Sequence, residues 1–322
     1  MDRRSFLMTA LFMPAGLSPA FAQITSWPAT ALHLVVPYAA GGPTDVAVRL
    51  LADALSSKFP QRVIVENVTG AGTVVGTTRV ATAKDGHTFL VATVAHAVNP
   101  VLFANLAFDP LKDLRGVALL GIVPQVVLVN KDVQASTLPE LLELARKRPG
   151  GLTYGSAGIG SAQHLAAELL KSVAKIDLQH VPYRGSGPAV TDLIGGTLDI
   201  VIDSAATAIQ QVKSGSVRAL AVTTLQRLAA LPDVPTVAET LPGYEAYTWN
   251  AVLAPAGAPS TSIAILNSAI NATLAEPGLA TRLSELGMTV SRNSTPESTD
   301  KFVGEEITKW QTLLRATGAK PN

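Results

Sequence analysis

The stretch Leu32–Lys58 reads LHLVVPYAAGGPTDVAVRLLADALSSK, and its three parts decide the fold. Leu32–Tyr38 is a short β-rich run, and Ala39–Pro43 is a loop of alanine, glycine and proline. From Thr44 to Lys58 the apolar residues Val46, Leu50, Leu51, Ala54 and Leu55 fall on one helical face. Strand, glycine loop, helix is therefore the opening unit. The same order recurs about 120 residues downstream, as the strand Leu152–Ser156, the loop Ala157–Gly160 and the helix Ser161–Val173.

Each unit has followers. Strands at Arg62–Asn67, His87–Thr93 and Gly116–Ile122, with a helix at Val74–Ala83, come after the first; strands at Leu178–Tyr183, Leu198–Asp203 and Arg218–Thr223 come after the second. Alternating strands and helices favour parallel sheets covered on both faces. Such sheets place ligands outside the carboxyl ends of their strands, at the loops that open helices. Two stretches connect the halves. Val117–Asn130 is an apolar run too long for one ordinary strand and is expected to break near Pro124, and Tyr247–Pro255 leads back. The expected molecule is an α/β protein of two doubly wound lobes joined by two crossover segments, lobe 1 at 23–123 and 247–322 and lobe 2 at 124–246. After Pro259 the pattern turns helical at Ser262–Leu274, Gly278–Leu286 and Glu297–Thr317, the last with Thr295 as N-cap and Pro296 at N1. These helices are expected to pack on lobe 1.

Composition narrows the chemistry. The 322 residues carry 25 Lys+Arg against 24 Asp+Glu, with 48% hydrophobic and only 15% charged residues. Charge this sparse and balanced argues against a nucleic-acid partner, which needs a basic excess. With no cysteine there are no disulfides, thiolate zinc sites or cysteine nucleophiles. His33, His87, His96, His164 and His180 never fall at metal-ligand spacing, so neither metal nor cofactor is expected. At the N-terminus, Arg3-Arg4 precedes an apolar run from Leu7 to Leu17 and then Ala20-Phe21-Ala22, which reads as a removable export signal over residues 1–22. Arg3-Arg4 with Phe6-Leu7 resembles a twin-arginine signal, although general-secretion signals also carry paired arginines. The expected mature chain carries 23 basic and 23 acidic residues.

The glycine loops are the candidate binding elements. In Pro37–Asp45 two glycines let the backbone approach a ligand, and Thr44 and Asp45 stand at a helix start where N–H groups are free, which makes an anion site. Ser156–Ser161 has the same ingredients, and Arg184-Gly185-Ser186-Gly187-Pro188 opens a third helix. Such residues also merely punctuate loops, but recurrence in both halves favours the binding role. The third glycine of a dinucleotide fingerprint is missing after Gly158-Ile159-Gly160, no Gly-Lys-Ser/Thr loop exists, and no Gly-x-Ser-x-Gly elbow occurs. His96 and His164 follow strand ends and either touch the cleft or bond within a loop or helix. Asp203 closes an apolar strand, where a carboxylate must be solvated or paired, and a cleft position is favoured. Asp45 fits the cleft or first-turn helix stabilisation equally. Trp249 on the returning strand reads as core.

Across the mature chain, Pro37–Asp45, the segment His96–Pro100, Thr153–His164, His180–Ala205, Leu231–Thr236, Leu241–Glu245 and Leu253–Pro259 closely resemble the Bug family, the periplasmic substrate-binding proteins of tripartite tricarboxylate transporters. The resemblance implies a type II periplasmic-binding-protein fold, capture of a small carboxylate between the lobes, and delivery to membrane permease subunits by a monomeric receptor that is not an enzyme. It also implies the site: Tyr38, Ala39, Gly42, Thr44 and Asp45 on one wall, Thr93 and His96 at the floor, and Ser156, Ala157, Gly158, Gly160, Ser161, Arg184 and Asp203 on the opposite lobe. Tyr38, Ala39-Ala40 and Pro43 depart from the family's first loop, and Thr93-Val94-Ala95 replaces a more hydroxyl-rich stretch, which points to a bulkier or more apolar ligand. A periplasmic ligand sensor or a clam-shell enzyme acting on a carboxylate is the other use of such a frame.

Overall fold

The computed structural model describes residues 27–316, so the export signal read at 1–22 and the helix end read at Thr317 lie outside the described residues. The chain runs β1 (Leu32–Val36), α1 (Pro43–Ser56), β2 (Val63–Asn67), α2 (Val74–Ala81), β3 (Thr88–Ala92), α3 (Val94–Leu102) and β4 (Leu114–Val129). It continues through α4 (Leu138–Lys147), β5 (Thr153–Ser156), α5 (Ala162–Ala174), β6 (Gln179–Pro182), α6 (Ser186–Ile194), β7 (Ile200–Ser204), α7 (Ala205–Lys213), β8 (Arg218–Val222) and α8 (Val237–Thr240). It returns by β9 (Tyr247–Pro255) and ends in α9 (Ser260–Leu274), α10 (Pro277–Glu285), β10 (Thr289–Val290) and α11 (Pro296–Ala316).

Local chemistry explains the element boundaries. Pro43 opens α1 at the one position where a missing N–H is harmless, and Ser161 caps α5 by accepting the His164 N–H at 3.3 Å. Thr295 caps α11 in the same way, accepting the Ser298 N–H at 3.1 Å. Four of these helices went unassigned in the sequence: α3, α4, α7 and α8. Pro100 inside α3 masked its periodicity, whereas α4 carries ordinary signals, Thr137 as cap and Pro139 in the first turn.

The strand order is β2-β1-β3-β9-β4-β7-β5-β6, with β8 and β10 also on β4. β1 is parallel to β2 and β3, and β5 is parallel to β6 and β7; β9 and β4 run antiparallel through the middle. The break expected near Pro124 does not occur: β4 is one continuous strand of 16 residues. Pro124, opposite Tyr247, is the last residue paired with β9, and from Gln125 the strand pairs with β7 and β8 instead. A residue without an N–H is tolerated where a strand changes partners.

One apolar core lies between β1, β3 and β9 and the helices α1, α9 and α10, around Val48, Leu51, Phe89, Leu266 and Ile270. A second holds α6 and α7 to β7 and β8, around Leu193, Val201, Ala208 and Val222. The third crosses between the lobes, from Val98 and Leu102 on α3 and Trp310 on α11, past Trp249, to Leu165 and Leu170 on α5. Each such side chain contributes roughly 1.5–3 kcal/mol on burial. Trp249 is core, as its strand context suggests: its Nε1 and that of Trp310 both donate to Glu306 Oε2 at 2.9 Å. Among the described residues no helix is long and apolar enough to cross a membrane.

Candidate functional site

Because β1, β2 and β3 are parallel, their carboxyl ends deliver three loops to one edge, and β5, β6 and β7 do the same on the other lobe. The two edges meet. A methyl carbon placed on Gly160 would lie 2.5 Å from Leu102 Cδ1 and 3.7 Å from Val98 Cγ2, across the gap on α3. Close by the crossover strands, a methyl on Gly287 would lie 2.8 Å from the Ala206 nitrogen of α7. Lobe 1 and lobe 2 thus touch at two glycines, with the loops converging between them.

On the lobe 1 wall, Gly41 carries the left-handed backbone (φ 82°), whereas Gly42 is an extended N-cap whose added carbon would meet only the Ala39 carbonyl, at 3.5 Å. Gly41 makes the turn, and Gly42 leaves the mouth of α1 open beside the exposed Ala39. Asp45 lies beneath the loop rather than on its surface. Its carboxylate accepts from Gly41 N–H (2.8 Å), Arg49 Nε (2.9 Å) and Asn67 Nδ2 (2.8 Å). Burial raises its pKa, but the bonds from Arg49, Gly41 and Asn67 outweigh this and hold the carboxyl below its usual range. Tyr38 Oη is 2.5 Å from Thr93 Oγ1, the cap of α3, and burial pushes the phenol up to about 12. The hydroxyl is therefore committed to Thr93, while the ring packs against the lobe 1 core. Thr44 Oγ1 reaches Asn250 Nδ2 at 3.5 Å.

His96 does not reach the cleft floor. In the first turn of α3 it is 1% exposed, its ring stacks on Phe108, and its Nε2 lies 3.1 Å from the Pro110 carbonyl. Burial lowers its pKa to about 4, so the ring is neutral. Helix α3, which the sequence reading missed, rotates this side chain into the lobe interior.

On the lobe 2 wall, the loop from Ala157 to Ser161 is held from behind. Ser156, fully buried, accepts the Gly158 N–H at 3.1 Å and lies 2.7 Å from His180 Nε2. The Gly160 N–H donates to His164 Nδ1 at 3.3 Å, and the His164 and His180 rings are 4.5 Å apart. Burial lowers both imidazoles, His180 to about 4, with the neighbouring His164 adding to that shift. Gly158 (φ 125°) and Gly160 (φ 77°) hold conformations that a side chain disfavours. Asp203, expected to face a ligand, is wholly buried and taken up by the protein: it accepts from Ser186 Oγ, Thr207 Oγ1 and, at 3.4 Å, Gln163 Nε2. It therefore ties the starts of α5, α6 and α7 together. Arg184, just before the Gly185 cap of α6, is exposed and makes no ion pair among the described residues.

Sequence reasoning missed Asn67, Gln163, Ser186, Thr207 and His180 as parts of this frame. Asn67 was findable, since it is a polar residue at the carboxyl end of a strand, the feature that singled out Asp203. Left over for a ligand among the described residues are the Thr44 N–H of α1, the Ala162 N–H of α5, the Gly187 N–H of α6 and the Arg184 guanidinium, a donor set suited to an anion. Ser156 with His180 does not make a nucleophile and base, because Ser156 has no exposed surface.

Two α/β lobes on a pair of crossing strands, with donor loops converging between them, define a two-lobed solute-binding protein. The tripartite tricarboxylate transporter family receptor model matches residues 47–319, and the chain belongs to that family. Protein BugT of Bordetella pertussis is 35% identical over 323 residues, covering 97% of this chain and 99% of BugT. Among solved structures, Rpa4515 of R. palustris with adipate superposes with a TM-score of 0.84 at 33% identity, covering 92% of this chain and all of that one. MatC of Rhodopseudomonas palustris with bound malate gives 0.81 at 34% identity, covering 89% of this chain and all of that one.

Proposed function

We propose that this protein is an extracytoplasmic receptor that captures a small carboxylate between lobe 1 (23–123 and 247–322) and lobe 2 (124–246) and hands it to the membrane permease of a tripartite transporter. One observation carries the reading. The helix starts of α1 on one lobe and of α5 and α6 on the other follow the carboxyl ends of parallel strands, the Gly160 loop of α5 reaches Leu102 of the opposite lobe, and the unpaired Arg184 precedes α6, which supports a shared anion site between the lobes. Family membership and the adipate and malate of the two neighbours support a carboxylate as the ligand. The buried Ser156 supports a receptor over an enzyme. In this reading the chain acts as a monomer, without cofactor, after export with loss of residues 1–22, by the twin-arginine or the general route.

Carboxylate oxygens would be met by the Thr44 and Ala162 N–H groups and by Arg184, each charge-assisted bond contributing on the order of 1.5–3 kcal/mol. A thermal-shift screen of mono-, di-, tri- and aromatic carboxylates tests this. A true ligand at about 100 times its Kd stabilises by about 2.7 kcal/mol, and its amide or methyl ester does not. Equal stabilisation by the neutral analogue, or a sugar as the best hit, would overturn the carboxylate reading.

A further inference from the structure

We infer that the hydroxyl of Ser204 is a ligand contact at the floor of the cleft, donating to the same carboxylate that the start of α5 receives; the assignment rests on the carboxylate-receptor reading above. Ser204 ends β7 immediately before α7 and is 8% exposed. Its Oγ is buried and has no hydrogen-bond partner among the described residues. A serine at a helix start ordinarily accepts an N–H from the first turn, but Ser204 makes no such cap. Neighbouring Asp203 does not engage it either, since its partners are Ser186, Thr207 and Gln163. A buried hydroxyl without a partner is destabilising, and a bound ligand would satisfy it.

Strand register gives the direction of the hydroxyl. Side chains alternate along β7: Ile200 and Ile202 enter the core that crosses between the lobes, with Leu165 of α5, while Val201 enters the core of α6 and α7. Ser204 continues the first row, toward α5. Across the ladder it pairs with Gln125, the first residue of β4 beyond the change of partners at Pro124, so it stands where the strands pass from lobe to lobe. Residues paired in this way share a face, with Cβ atoms about 4.5–5.5 Å apart. With its amide turned to satisfy both, Gln125 accepts the Gln163 N–H and donates to the Ala162 carbonyl, each at 3.3 Å. Ser161 takes the His164 N–H. In the first turn of α5 this leaves the Ala162 N–H to meet a ligand oxygen beside Ser204. Lobe 1 covers the same corner through the contact of Gly287 with Ala205 and Ala206, so opening the cleft uncovers it.

Titration calorimetry of the purified protein with adipate, malate, citrate and benzoate, and then of Ser204→Ala with the tightest of the four, tests the inference, with the melting temperature of each unliganded protein read alongside. Ser204→Ala should bind that carboxylate at least about fivefold more weakly. It should also melt at the parent temperature or above it, because the substitution removes an unpartnered buried hydroxyl and breaks no bond among the described residues. A smaller change in affinity overturns the contact and leaves the carboxylate receptor standing. A lower melting temperature overturns it as well, since the hydroxyl would then serve the fold. If none of the four binds the parent protein, the carboxylate reading itself fails and the inference falls with it.

Discussion

Gly160 and Leu102 belong to opposite lobes, and there is room between them for a hydrogen but not for a methyl: an added carbon at Gly160 would stand 2.5 Å from Leu102 Cδ1. The lobes close against each other because this position has no side chain. Gly160→Ala should therefore weaken ligand binding by three- to tenfold while lobe 2 stays folded. The left-handed φ of 77° adds a strain of about 1 kcal/mol whatever faces it. Leu102→Ala in the same chain separates the two effects, because it removes the obstacle and leaves the strain. Partial recovery of affinity by calorimetry shows that the lobe contact matters; no recovery assigns the loss to the backbone alone.

A stronger block is expected at the second contact. The atom facing Gly287 is the Ala206 backbone nitrogen at 2.8 Å, which cannot swing aside as a leucine methyl can. Gly287→Ala should leave the lobes further apart, read by small-angle scattering as a larger radius of gyration at saturating ligand than in the parent protein.

Removing the Asp45 carboxylate should loosen the first loop from beneath. Asp45→Ala takes the shared acceptor from the Gly41 N–H, the Arg49 guanidinium and the Asn67 amide, and a loss of about 1–3 kcal/mol in unfolding free energy is expected from urea denaturation. Arg184→Gln, in contrast, breaks no ion pair among the described residues, so the unliganded melting temperature should hold while carboxylate affinity falls at least tenfold.

His96 makes stability depend on pH. Its folded pKa is lowered by burial from 6.5 to about 4, so between these values the unfolded chain binds a proton that the folded one refuses. Stability from this group is full above about pH 6.5 and is lost as the pH falls, by about 3 kcal/mol near pH 4. His180, shifted the same way, steepens the decline. A His96→Gln protein, still able to donate to the Pro110 carbonyl, should show a shallower fall in melting temperature between pH 7 and pH 4.5.

Periodicity in the sequence was enough to locate the paired strand–loop–helix units, the two crossing strands and the closing helices, because each obeys a local rule of spacing or capping. Pro100 and Pro124 defeated local rules, one sitting inside a helix and one inside a strand, at places where neighbours make the missing N–H harmless. The loops of the site were legible as glycine-rich turns, and the orientation of their polar side chains was not. The family resemblance put Asp45, Asp203 and His96 at the site, although the residues themselves left Asp45 open to a helix-start role and His96 to a bond within its loop or helix; all three turn inward, because each finds partners from elements distant in sequence: Asn67, Ser186 and Pro110. No spacing rule encodes those meetings. The departure at Tyr38 was visible in the sequence, but that its hydroxyl would be consumed by Thr93 was not.

The place of β9 in the sheet also sets an order in time. It lies between β3 and β4, which do not pair with each other, so the sheet of lobe 1 stays split until Tyr247–Pro255 has been made. The strands and helices between β4 and β9 form a contiguous stretch that needs no later segment for its own ladder. Long-range pairing of this kind is slow to form. A chain emerging from the ribosome thus carries a first lobe whose β1–β3 ladder waits for its central partner strand until β9 has been made.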